Sequence, residues 1–183
     1  MNLYALEMSE RSCDAAGRNI RGLHRDIAAS YEAERVLWAW IGRSCFVQAE
    51  RGHPPVGMVE LNCSPLPDIG AGEPVRVLSV VCPTVSVSRG AGKRGKRRPL
   101  PSDRWSDWYA RKLAGAVDVD SCTVDLLRVA RAYKPGTTAT VKQCTAIATG
   151  TVTDAGALDG LRLAGIGTGK AYGCGLTIME GLL

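Results

Sequence analysis

Eleven residues near the C-terminus, "GIGTGKAYGCG" from Gly165 to Gly175, constrain the fold more than any other stretch, because five are glycine and a lysine sits among them. Their neighbours decide what they can be. Upstream, Asp154 stands as an N-cap before "AGALDGLRLAGIG", whose apolar spacing predicts a helix, and downstream "GLTIME" predicts a strand. A dinucleotide fingerprint needs a strand before it and a helix after it, and a P-loop needs Ser or Thr after its lysine at a helix start. Both nucleotide-cofactor readings are excluded, and no cofactor is expected. Two readings stay open. Successive glycines expose backbone N–H groups to phosphate oxygens, with Gly167, Gly169 and Gly173 letting a sugar-phosphate chain approach and Lys170 adding a point charge. Alternatively, the glycines form a tight helix-to-strand turn that requires positive φ.

The rest of the chain predicts an α+β fold. "MNLYALEM" reads as a first strand, and residues 9–30 as a polar loop with a short helical piece. "YEAERVLWAWIG" places Ala33, Val36, Leu37, Trp40 and Ile41 at helical spacing, with Ser30 as N-cap and Gly42 as stop. "RSCFVQAERG" and "PVGMVELNCS" flank a Gly-His-Pro-Pro turn and predict a hairpin, and "VRVLSVVCPTVSVSR" a long strand bent at Pro83. A second round follows: a helix over "WSDWYARKL" capped by Ser102 or Asp103, strands on either side of a Lys-Pro-Gly turn, the helix after Asp154, and the final strand. Two βαββαβ-like halves, residues 1–88 and 89–183, account for the order.

Charge supplies the next constraint. "RGAGKRGKRRP" concentrates six basic residues, Arg89, Lys93, Arg94, Lys96, Arg97 and Arg98, in a chain whose net charge is +5. That run suits a polyanion, and nucleic acid better than membrane because no amphipathic apolar face accompanies it; a solvated basic loop is the alternative. No apolar run approaches a membrane span. Seven cysteines without a CxxC pair, and no signal-peptide pattern, predict free thiols in a reducing cytoplasm. The two histidines, His24 and His53, are too far apart to build a metal site with scattered cysteines, so no metal is expected. His53 reads as a turn residue. His24 lies between Arg21 and Arg25, a setting for an RNA-contacting or acid–base imidazole, or for a solvated one.

"LRLAGIGTGKAYGCGLTIM" closely resembles the signature end of the CasE-type CRISPR RNA-processing endoribonucleases of type I-E Cascade, whose pattern runs GIG, two residues, Lys, two residues, GCGL. "KRGKRRPLPSDRWSDWYARKL" is similar to the family's basic segment and following helix, and "YEAERVLWAWI" looks like its first helix, Tyr-x-x-His-x-x-Leu-Trp. The resemblance implies two tandem ferredoxin-like (RRM-like) domains. It also implies metal-independent cleavage of a CRISPR repeat hairpin by 2′-hydroxyl attack, by a subunit that stays bound within an effector complex with other CRISPR subunits.

On this alignment Tyr31 matches the family's tyrosine and Glu34 stands where the catalytic histidine should be. A carboxylate beside a phosphodiester repels it unless its pKa is raised. Three explanations stay open: His24 replaces the imidazole; Tyr31, Lys170 and nearby arginines cleave without one; or the chain binds the hairpin and no longer cuts. A single-strand-binding RRM is disfavoured, because neither strand set carries the aromatic pattern that stacks bases.

Overall fold

The computed structural model describes residues 1–88, 90, 95–134 and 136–181. The chain runs β1 (Asn2–Met8), α1 (Glu10–Arg18), α2 (Ile20–Ser30), β2 (Tyr31–Glu32), β3 (Leu37–Ile41), β4 (Ser44–Ala49), β5 (Arg51–Gly52) and β6 (Met58–Pro65). It continues with β7 (Pro74–Val81), β8 (Thr84–Val87), β9 (Lys96–Pro99), α3 (Trp105–Leu113), β10 (Val117–Lys134), β11 (Thr137–Val152), α4 (Ala155–Ala164) and β12 (Thr177–Gly181).

Two four-stranded antiparallel sheets form, ordered β3-β4-β1-β6 and β10-β11-β7-β12. Counting strands within each sheet, both read 2-3-1-4, the ferredoxin-like order, so the fold is two such domains in tandem. The second has both crossover helices, α3 and α4. The first has α1 and α2 at its first crossover, and at the second only β5 and the Gly-His-Pro-Pro turn. β7, which a division at residue 88 assigns to the first half, hydrogen-bonds to β11 and β12 in the second sheet.

Three sequence expectations change. The helix predicted over Tyr31–Ile41 is two strands joined by an irregular stretch: β2 pairs with β5, and β3 pairs with β4. β3 is buried on both faces, Trp38 and Trp40 packing with α1 and α2 while Leu37 and Ala39 join Val80, Val141, Cys174 and Leu176 between the domains. A strand covered on both sides loses its alternation, and its apolar run then imitates a helical stripe. Ser30 is accordingly the last residue of α2, not a cap. The stretch read as loop holds two helices, capped by Ser9, whose hydroxyl accepts from Ser12 N–H, and by Asn19, whose Oδ1 accepts from Arg21 N–H. Ile20, Leu23 and Ile27 form the buried stripe of α2. The predicted hairpin is also repartnered. β4 turns back onto β3 at Gly42, while β1 lies between β4 and β6.

Two further expectations hold and one cap does not. Pro83 separates β7 from β8, and Asp154 caps α4 through Ala157 N–H at 2.9 Å. Neither Ser102 nor Asp103 caps α3; a short 3-10 turn over Ser102–Arg104 leads into it instead. The long β10–β11 hairpin reaches over the first domain. There Ala130 and Ala132 enter its core, Asn19 Oδ1 accepts from Tyr133 N–H, and the Arg128 guanidinium lies 3.7 Å over the Trp40 ring while donating to Trp40 O.

Candidate nucleic-acid interface

Where the two domains meet, a cleft of about 1000 Å³ opens between α2, the β2–β3 segment, β9 and the glycine-rich loop. His24, Tyr31, Glu34, Arg97, Gly167, Gly169 and Lys170 line it. His24 and Lys170, near opposite ends of the sequence, therefore face one space. Arg35 lines the same wall; it occupies an unspecified position of the Tyr-x-x-His-x-x-Leu-Trp pattern, so the sequence does not single it out. Arg21, Arg25, Lys96, Arg98 and Gly173 do not line the cleft, and Arg89, Lys93 and Arg94 lie outside the described residues.

His24 projects from α2 one turn after Arg21. Trp38 Nε1–H donates to its Nδ1 at 3.3 Å, and the rings are nearly parallel, 15° apart. Burial of the imidazole, and secondarily the Arg21 guanidinium, hold its pKa below the ordinary 6.5. The ring is therefore neutral at neutral pH.

Lys170 opens a single 3-10 turn, Lys170–Tyr172, held between Gly169 and Gly173, both left-handed. Its Nζ donates to Gly167 O at 3.0 Å. Burial lowers its pKa, and Arg35 and Arg97 lower it further. Lys170, Arg97 and Arg35 share the cleft with three carboxylates, Glu32, Glu34 and Glu50, so its positive character is local: Arg35 and Arg97 act on Lys170 beside the glycine-rich loop, and an anion placed there would relieve their mutual repulsion.

The structure bears out the turn reading of the glycines, and it places two of them on the cleft. Gly173 has φ 71°, and a Cβ there would stand 2.7 Å from the Trp38 ring, so backbone conformation and space both require glycine. Gly167 and Gly169 line the cleft, with a Cβ at Gly167 meeting Trp108 at 3.0 Å. The loop is thus a tight helix-to-strand turn whose outer surface faces the cleft. It is tied to the base of the basic hairpin by the Thr84 and Thr168 hydroxyls, 3.2 Å apart.

Tyr31 presents little chemistry to this space. Its ring packs edge-on against Tyr4, centroids 4.9 Å apart, within the first domain's core. Its hydroxyl is buried and finds no partner among the described residues, and burial, then Glu60 and Cys45, push its pKa up. Glu34 is exposed at the cleft mouth.

Of the basic run, β9 carries Lys96, Arg97 and Arg98 on a two-stranded hairpin with β8. Strand alternation turns Arg97 to the cleft and its two neighbours to the opposite face. Trp105 and Trp108 are both buried in the second core. Among the described residues no group of three His, Cys, Asp or Glu could hold a metal ion, and no helix is long and apolar enough to cross a membrane.

Comparison with known proteins bears on the same fold. Cas6e of Escherichia coli K-12 superposes with a TM-score of 0.78 at 20% identity, covering all of both chains. Cse3 of Thermus thermophilus, bound to an RNA representing a pre-cleavage complex, gives 0.75 at 20% identity over 98% of each chain. A chain of a CRISPR RNA-guided surveillance complex gives 0.74 at 20% identity over the whole of both. Sequence comparison with curated proteins gives no match. The family model described as CRISPR associated protein matches residues 1–180, and the chain belongs to that family.

Proposed function

We propose that this chain is a CRISPR repeat-processing endoribonuclease that binds a repeat hairpin, cleaves it without a metal ion, and remains bound as a subunit of a cytoplasmic effector complex. The observation that carries the reading is the meeting of His24 and Lys170 in one cleft, across a glycine-rich loop that matches the family signature at every position. The structural neighbours, described as an RNA-bound endoribonuclease and as chains of Cascade, supply the substrate class and the partners.

The chemistry fits these side chains. The 2′-hydroxyl oxygen attacks the adjacent phosphorus, the bond to the 5′-oxygen breaks, and a 2′,3′-cyclic phosphate remains. The hydroxyl passes its proton to water, the departing oxygen takes one from water, and negative charge builds on the phosphoryl oxygens between. Lys170, Arg97 and Arg35 neutralise that charge, and His24 acts at the scissile phosphate. Arg21, Arg25, Lys96 and Arg98 hold phosphates of the hairpin outside the cleft, and Arg89, Lys93 and Arg94 are given the same role on charge alone.

On this reading Glu34 does not count against cleavage. It stood in the place of the family's histidine only while Tyr31–Ile41 was read as the first domain's helix. That segment is two strands joined by an irregular stretch that carries Glu34, the first domain's longest helix is α2, and His24 is on it. The same correction removes the reason for giving Tyr31 a catalytic role.

The test is single-turnover incubation in EDTA with a labelled repeat, and with the same repeat carrying 2′-deoxy at the scissile nucleotide. The proposal predicts cleavage of the first alone. Tight binding with neither substrate cut would leave a hairpin-binding subunit instead.

A further inference from the structure

Trp38 touches both elements from which the cleft's side chains emerge. It lies on β3, fully buried, between α2 and the glycine-rich loop. On one side its indole N–H donates to His24 Nδ1. On the other, Gly173 rests against its six-membered ring, with room for no Cβ.

Donor and acceptor chemistry fixes the protonation of the imidazole. An indole N–H only donates, so the Nδ1 it meets must offer a lone pair, and the ring's proton then sits on Nε2. Both the imidazolium and the other tautomer carry a proton on Nδ1. Either would set two donors against each other in a part-buried contact. We propose that Trp38 is a positioning residue that locks His24 as the neutral Nε2–H tautomer, so that the imidazole presents a donor rather than a lone pair to the cleft. The functional meaning of this lock rests on the repeat-cleavage reading; its structural content does not.

His24 then serves the reaction as an uncharged hydrogen-bond donor to a phosphoryl or departing oxygen, and cationic stabilisation falls to Lys170, Arg97 and Arg35. Burial and Arg21 favour the same neutral state, and the carboxylates that share the cleft, Glu32, Glu34 and Glu50, do not reverse that direction. Gly173 enters the same linkage, because a side chain there would displace the indole that holds His24.

The chain has two histidines, which makes the tautomer directly readable. Nitrogen-15 spectra of the free, full-length protein near neutral pH, with His53→Gln at the exposed turn to assign the signals, should show His24 as Nε2–H with an unprotonated Nδ1. Trp38→Phe removes the donor together with part of the buried indole's volume, and the His24→Gln background below separates the two effects. The substitution should move His24 to a mixture of tautomers and raise its pKa. A wild-type His24 found as Nδ1–H, or a tautomer unchanged in Trp38→Phe, would overturn the proposal. If Trp38→Phe does not fold, the wild-type spectrum decides alone.

Repeat cleavage gives an independent reading. Trp38→Phe should slow cleavage about 10-fold, the worth of one hydrogen bond to a reacting group, and cost nothing further in a His24→Gln background. Equal losses in both backgrounds would show Trp38 acting through packing alone and would overturn it. If the wild-type protein itself cuts no repeat, the cleavage reading fails while the spectra still decide the lock.

Discussion

The glycine-rich loop and the β8–β9 hairpin bring cations to the same cleft from opposite kinds of structure. The loop is embedded: Ile166 and the run from Gly173 to Leu176 are buried, and Cys174 and Leu176 belong to the packing between the domains. Its one lysine is held by Gly167 O and partly desolvated. The hairpin is the reverse, with Lys96, Arg97 and Arg98 all exposed. A change in the loop should therefore propagate into packing and into Trp38. A change in the hairpin should remove charge and leave the fold alone.

The largest effect expected is that of Gly173→Ala. The left-handed conformation costs a side chain about 1–2 kcal/mol, and forcing a methyl against the Trp38 ring about 1–3 kcal/mol more. Denaturant unfolding should show both, and an unchanged midpoint would break the contrast at its embedded end.

Lys170→Ala comes next. Loss of a charged contact to phosphate, about 1.5–3 kcal/mol, corresponds to a fall of roughly 10–100-fold in cleavage or repeat affinity. Stability should respond in the other direction. The folded-state pKa of Lys170 is depressed, so below the ordinary 10.5 the unfolded chain holds its proton more tightly and stability rises with pH. Thermal melts of Lys170→Ala across alkaline pH should lack that contribution.

Arg97→Ala and Arg98→Ala should each lower the salt dependence of repeat binding by about one unit of slope without moving the melting temperature. Only Arg97→Ala should also raise the Lys170 pKa, because of the two only Arg97 depresses it. Equal effects on Lys170 from both would contradict the strand alternation that separates them. Smallest of all is Tyr31→Phe. Removing a buried hydroxyl that lacks a partner should leave stability the same or slightly higher and cleavage unaltered; a substantial loss of cleavage would restore the catalytic role assigned by resemblance.

The glycine-rich loop was legible in sequence because its order, helix before and strand after, excludes cofactor motifs and its spacing is specific. Its partner across the cleft was not. β3 reads as a helix because each face meets a different core, and α2 was hidden because its caps, Ser9 for α1 and Asn19 for α2, sit in a polar stretch with a weak apolar stripe. That one exchange of strand for helix moved the histidine question from Glu34 to His24. Burial of the Tyr31 hydroxyl and the presence of Arg35 depend on side-chain placement across β2 and β3, which no local pattern encodes. The hydrogen bond from Trp38 joins residues fourteen apart on different elements and is equally invisible to spacing.

The most direct measurement pairs repeat binding with single-turnover cleavage for His24→Ala, which removes the donor outright. If His24 donates to the phosphoryl or departing oxygen while the loop and hairpin hold the RNA, affinity stays at the wild-type level and the cleavage rate falls by roughly 10²–10³. Cleavage within a few-fold of wild type would contradict the account, and so would a loss of binding that alone explains the loss of rate.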